Sequence, residues 1–341
     1  MTEPDNTETN AAVDTNAERL FRYGVPAALV LYSLLAFWLS GFQQTVGTAI
    51  LLTVGVYVTT IFLYAGVPSL VFWSQRKTLA AGIVAAVGMS VLWIGQSSPW
   101  IWISTWLMLL GSTIVTGYLA GAGHRFSKVY AAGLLIVLVT SLVRFLPLYP
   151  EVAEMARNSV DGIMGDVRMQ LTVGGYAPDL IDEYVGAFRT VLNAMIRLMP
   201  CGFVLGALMQ YSLGYIWFSH RTVATSGKPA VVPSFATWRA PFELAVAVVV
   251  ASAMRILGND AVKLVADNLL VGLGVVYAIT GMALIESFLR KVHVGWLGRV
   301  FVYIALFLAQ IVGLLVVALL GFIDSYVDWR ARAQRSVDET V

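Results

Sequence analysis

Six polar side chains interrupt sequence that otherwise reads as hydrocarbon: Gln210, Glu243, Asp267, Asn268, Glu286 and Gln310. An amide or carboxylate in such surroundings is costly unless another group meets it. Each is therefore placed to hold a solute or to lock one helix to another. Asp267 follows Lys263 by four residues, a spacing that makes a local ion pair on a helix. Asn268 has no such neighbour, so a second helix or a ligand must satisfy it. Glu243 belongs to the stretch FATWRAPFELAVAVVV. There Pro241 suits the first helical position, and Glu243 then meets the positive end of the helix dipole. Trp238 marks the membrane boundary and Arg239 its cytoplasmic side. Capping does not call for a side chain as long as Glu243, which stays a candidate for binding. Arg189, Asn193 and Arg197 recur every four residues and form one stripe. That stripe is either the solvated face of an interfacial helix or an electropositive rim for an anionic solute or lipid head group.

Other chemistry lacks its parts. His124, His220 and His293 are scattered, so no helical pair of histidines is set to hold a metal. Cys201 is the one cysteine and sits in an apolar run, as a packing residue does. The TSGKP segment lacks the upstream glycine of a phosphate-binding loop, and there is no G-x-S-x-G elbow. No enzyme activity, cofactor or nucleic-acid partner is expected. GYLAG at 117–121 fits the G-x-x-x-G pattern of close helix packing.

The elements that position these residues follow from composition. Of 341 residues, 58% are hydrophobic and only 12% charged, with a mean hydropathy of +0.77. Soluble domains carry about 25% charged residues, so lipid must replace water around much of this chain. The expected fold is all-α, a polytopic transmembrane helix bundle of 8–9 spans with an amphipathic helical insert on the outer side. Apolar runs fall at 24–41, 45–66, 78–96, 99–121, 128–148, 199–219, 241–257, 264–288 and 300–323. Basic residues alternate between the connections: Arg19 and Arg22, then Arg76 and Lys77, then Arg125 and Lys128, then Arg221 and Lys228. The positive-inside rule puts the N-terminus in the cytoplasm, with the bacterial inner membrane as the location. Nine spans leave the C-terminal tail outside. If 241–257 does not cross fully, eight spans place it inside, at the cost of moving Arg290, Lys291 and Arg299 outside.

Five regions follow: an acidic disordered tail over 1–22, a five-span bundle over 23–148, an outer insert over 149–198, a second bundle over 199–325 and a polar tail over 326–341. Within the insert, Glu151 to Glu183 holds seven acidic and two basic residues. Apolar positions recur there at helical spacing on either side of Gly174-Gly175, which predicts two amphipathic helices.

PSFATWRAPFE, then DNLLVGLGVVYAITGMALIE, then GFIDSYVDWRAR resemble the YybS-like family of bacterial predicted membrane proteins. The matching positions are Phe235, Trp238, Pro241, Asn268, Leu269, Gly281, Gly321, Asp324 and Arg330, with Thr280 where that family has Gln. The layout is also similar to the substrate-binding S components of energy-coupling-factor transporters. The resemblance implies a small solute held between helices, by Trp238, Glu243 and Asn268, with Asp324 and Arg330 orienting the terminal helix. It also implies separate energising subunits. The alternative is a non-transporting scaffold whose acidic outer helices serve as a docking surface.

Overall fold

Where no water reaches the backbone, a segment must satisfy its own polar groups, and a helix does so alone. The computed structural model describes residues 6–41, 46–91, 99–223 and 233–327, and among them every regular element is helical. Among the described residues, seven helices are long and apolar enough to cross a membrane. The helices group into two units, Met1–Val152 with Gly202–Val232 and Ala153–Cys201 with Pro233–Val341. These limits differ from the sequence-based regions. The second half of one long helix joins the first unit, and most of the outer insert joins the second.

The first unit contains α1 (Asn6–Gly41), α2 (Val46–Phe72), α3 (Arg76–Val91), α4 (Pro99–Trp106), α5 (Ser112–Gly121), α6 (Phe126–Phe145) and the C-terminal part of α8 (Pro178–Phe218). α1 begins at Asn6 within the tail expected over 1–22, and residues 1–5 lie outside the described residues. Phe21 is fully buried, and Glu18 accepts a hydrogen bond from Gln75. Between α4 and α5 the chain widens into a π turn at Leu107–Gly111. Of the GYLAG glycines, only Gly117 lies in a close approach. A Cβ there would meet the Pro68 carbonyl at 2.6 Å, whereas Gly121 faces open space. A tyrosine layer fills the centre. Tyr211 shares a 2.9 Å hydrogen bond with Thr116, Tyr130 shares one of 2.8 Å with Ser212, and Tyr215 donates to the Phe126 carbonyl.

In the second unit, α7 (Tyr149–Val173) and the N-terminal half of α8 form an antiparallel hairpin that turns at Gly174-Gly175. Arg168 pairs with Asp182, and Arg189 with Asp161, which fixes the register. Ala153, Val160 and Met164 close the seam against Ile181, Val185 and Ile196. This is the pair of amphipathic helices that the periodicity predicts.

The rest of the unit is arranged around α10 (Asp260–Lys291). The expected span at 241–257 is only α9 (Glu243–Leu257), and that at 78–96 is described as α3 up to Val91, with 92–96 outside the described residues. The run 300–323 is not one helix either. It is α11 (Trp296–Leu308) and α12 (Gln310–Val327), separated by a corner where Gln310 takes φ 49°. Gly313 makes the corner possible, because a Cβ there would meet the Leu306 carbonyl at 2.5 Å.

Candidate functional site

Depth within the second unit can be read along α10. Gly281 lies against the Val317 carbonyl and Gly321 against the Tyr277 carbonyl, so α12 runs antiparallel to α10 at close range. Carried three residues further, that register sets Asp324 beside about Gly274, near the midpoint of α10, about 21 Å from its start and about 26 Å from its end. α9 is tied to the other end of α10. Its Arg255 pairs with Asp267 at 2.6 Å, and the chain turns back at Gly258. An antiparallel helix of 15 residues from that turn brings Glu243 level with the same midpoint of α10. From the opposite end, Ser234 accepts a 3.0 Å hydrogen bond from Arg290. Residues 233–242 therefore ascend half the length of α10, with one short 3-10 turn at Phe235–Thr237.

Residues 233–257 thus run along the length of α10. The first half is mostly extended, the second half is α9, and the break is level with the middle of α10. Trp238 and Glu243 lie on either side of that break. Pro241 precedes the N-cap residue Phe242, and Glu243 is the first helical residue. Pro241 still supports the start, since its carbonyl accepts from Leu244.

Around the break, Arg239 donates to the backbone carbonyl of Asp324 at 2.9 Å, and Asp324 is 1% exposed. Phe242 meets the Tyr326 ring edge-on at 5.3 Å, and Tyr326 and Tyr277 both contact Phe322. Trp238 is half-buried, packs on Phe235 and donates to the Pro233 carbonyl. Glu243 is exposed. The structure thus brings Trp238, Glu243 and Asp324 to this break and its neighbour helix.

Asn268 sits elsewhere, nearer the α9–α10 turn. Its Oδ1 accepts from the Cys201 amide at 2.8 Å, and its Nδ2 donates to the carbonyls of Arg197 at 2.9 Å and Leu264 at 2.8 Å. The carboxamide bridges the two ends of the α8 turn that contains Pro200, a residue with no N–H to give. Asn268 is met by backbone, as a helix-locking residue is. Asp267 pairs with Arg197 and Arg255, both from other helices, rather than with Lys263. Arg189 and Arg197 are each matched by a carboxylate, and Asn193 is exposed, so the stripe carries less free positive charge than its sequence suggests. Arg330 lies outside the described residues.

A second constellation stands at the far end of α10. Glu286 accepts from Arg290 at 2.6 Å and Arg299 at 2.9 Å through Oε1, and from the Tyr303 hydroxyl at 2.7 Å through Oε2. The Glu286 side chain is 7% exposed. Its link to Arg290 is an i,i+4 pair visible in the sequence. The links to Arg299 and Tyr303 depend on the turn between Lys291 and Trp296, where His293 takes φ 57°, and no local pattern announces them.

An all-helical architecture with seven candidate spans among the described residues defines a polytopic membrane protein. The chain belongs to the family described as predicted membrane protein DUF2232, whose model matches residues 46–325. No curated protein and no solved structure matches it.

Proposed function

We propose that the protein binds a small solute at the mid-depth break and takes part in its movement across the membrane. One observation carries this reading: the segment 233–257 stops being helical beside Asp324, a carboxylate buried at the midpoint of α10. Ionisable groups at that depth are expensive, and they mark solute or ion pathways. Interrupted helices frame the binding sites of many transporters. Asp324, Glu243 and Arg239, which donates to the Asp324 backbone carbonyl, share the break with the rings of Phe242, Tyr326 and Trp238. Excess negative charge beside aromatic faces favours a protonated amine or a zwitterion over a simple anion. The chemistry is binding, with no bond made or broken. Separate energising subunits, like those served by S components, fit this reading, and so does a coupling ion held at Asp324.

The basic end of α10, with Arg290, Lys291 and Arg299, is the cytoplasmic end in this reading, and the acidic hairpin lies outside. The test is a thermal-shift screen of purified protein against small amines, amino acids and carboxylic acids. An amine-bearing compound that stabilises the wild type and not Asp324→Asn supports the site. If no amine or zwitterion distinguishes the two proteins, the reading fails.

The scaffold alternative has its own support. Leu180, Tyr184, Phe188, Val191 and Met195 form an exposed apolar stripe on the hairpin. Replacing Tyr184 and Phe188 with Ser separates the readings. A scaffold loses its partner in a pull-down, whereas a solute site at the break keeps its ligand shift.

A further inference from the structure

α11 differs from the helices around it. It begins a few residues after Lys291 and ends at the corner from which α12 descends antiparallel to α10. Both its ends therefore lie at one end of α10. A helix of 13 residues held there runs across the bundle rather than along it. Its Arg299 and Tyr303 turn toward Glu286, while Trp296, Leu297, Phe301, Ile304, Phe307 and Leu308 are exposed. One polar face and one broad apolar face are the pattern of a helix lying in a membrane interface.

A cavity of about 470 Å³ opens at the junction, between Phe235, Met282, Trp296 and Val300, with Glu286, Arg299 and Tyr303 in its lining. Glu286 is saturated by three donors, so it offers a ligand no strong acceptor. The two arginines are not used up. Arg299 gives one N–H to Glu286, and its buried Nε has no acceptor among the described residues. Arg299 lines the cavity, and Arg290 stands behind it on the same Glu286 oxygen, so two guanidiniums share one carboxylate beside an apolar wall.

We propose that this cavity binds the phosphate of an anionic phospholipid, with the acyl chains lying along the apolar face of α11. Charge complementarity argues for the phosphate, and the continuity of Trp296 and Val300 with the exposed face argues for the chains. Arginine is suited to this task because its planar fork bonds two phosphate oxygens at once. Trp296 at the mouth has the amphipathic ring that settles at head-group level. The site is independent of solute binding at the break.

The test is native mass spectrometry of the full chain purified in detergent and supplied with equal phosphatidylglycerol and phosphatidylcholine. The wild type is expected to retain phosphatidylglycerol at least about ten-fold over phosphatidylcholine. Arg299→Gln should lower that preference to near parity. Because Arg299→Gln also disturbs the Glu286 cluster, Val300→Glu serves as the second variant. It leaves every cluster bond in place and sets a carboxylate in the lining, so the preference should fall again. Equal retention of both lipids by the wild type, or an undiminished preference in Val300→Glu, overturns the proposal. So does inorganic phosphate at tens of millimolar displacing none of the phosphatidylglycerol from the wild type. Inorganic phosphate protecting the protein against heat as fully as the lipid does would assign the cavity to free phosphate and overturn the lipid as occupant.

Discussion

Asn268 shows how far a single residue can be read without its neighbours. Its sequence context demands a partner, because an unmet amide among apolar side chains is costly. The partner is the backbone around Pro200, at Cys201 and Arg197, about 70 positions away, and only the tertiary fold can supply it. The same holds for Asp267, whose nearest basic residue in sequence is Lys263 but whose partners are Arg197 and Arg255. Local spacing ranks neighbours on one helix, and the close packing of α8, α9 and α10 overrides that ranking. It follows that Asn268→Leu acts on stability and leaves the break alone. Removing the bridge should cost about 1–3 kcal/mol, read as a lower melting temperature in detergent. Any ligand shift at Asp324 should persist. Loss of that shift with unchanged melting would return Asn268 to the binding site.

At the scale of elements, hydropathy found the apolar runs and misjudged where they bend. The run 300–323 is unbroken in apolar character, yet Gln310 and Gly313 stand where α11 turns into α12. A polar residue with a glycine one turn later is a weak corner signal, and the closing contact to Leu306 is visible only in three dimensions. The segment at 233–242 is a related case. Its tryptophan, proline and arginine read as a boundary, and composition does not announce the run of extended backbone that lies beside the second half of α10. The α10–α12 contact makes a sharper prediction. A Cβ at Gly281 would run into the Val317 carbonyl, whereas one at Gly274 meets nothing within 4 Å. Gly281→Ala should destabilise the protein by about 1–3 kcal/mol. Gly274→Ala should leave melting unchanged or slightly raised, since alanine favours helix over glycine by about 1 kcal/mol. Equal effects from the two would contradict the assigned register. The clamp on α11 is testable at this scale too. Glu286→Gln removes the charge that holds Arg299, and hydrogen exchange across Trp296–Leu308 should quicken about ten-fold or more while the centre of α10 stays protected.

For the whole molecule, the question is which end of α10 meets the cytoplasm. In the second unit, the hairpin and the Arg197–Asp267–Arg255 network gather at the Asp260 end, and the Glu286 cluster gathers at the Lys291 end. The hairpin is acidic over Glu151 to Glu183, and the opposite end is basic at Arg290, Lys291 and Arg299. The acidic character of the hairpin is legible in the sequence, whereas the side taken by Arg290, Lys291 and Arg299 stays open there, because it turns on whether 241–257 crosses. The two-unit division is not legible, since α8 contributes one half to each unit and runs through Pro200 without a break in its helix. Positive charge is retained on the cytoplasmic side during insertion, so the Lys291 end should face inward. With Cys201, which is buried, replaced by Ala, a membrane-impermeant maleimide should label Tyr176→Cys in intact cells, because Tyr176 is exposed at the hairpin turn. Val292→Cys, 74% exposed at the other end, should react only after the membrane is permeabilised. The reverse pattern would invert the protein. It would then place the phospholipid cavity in the outer leaflet, and the polybasic attraction to an anionic inner leaflet could no longer explain why Arg290 and Arg299 gather there.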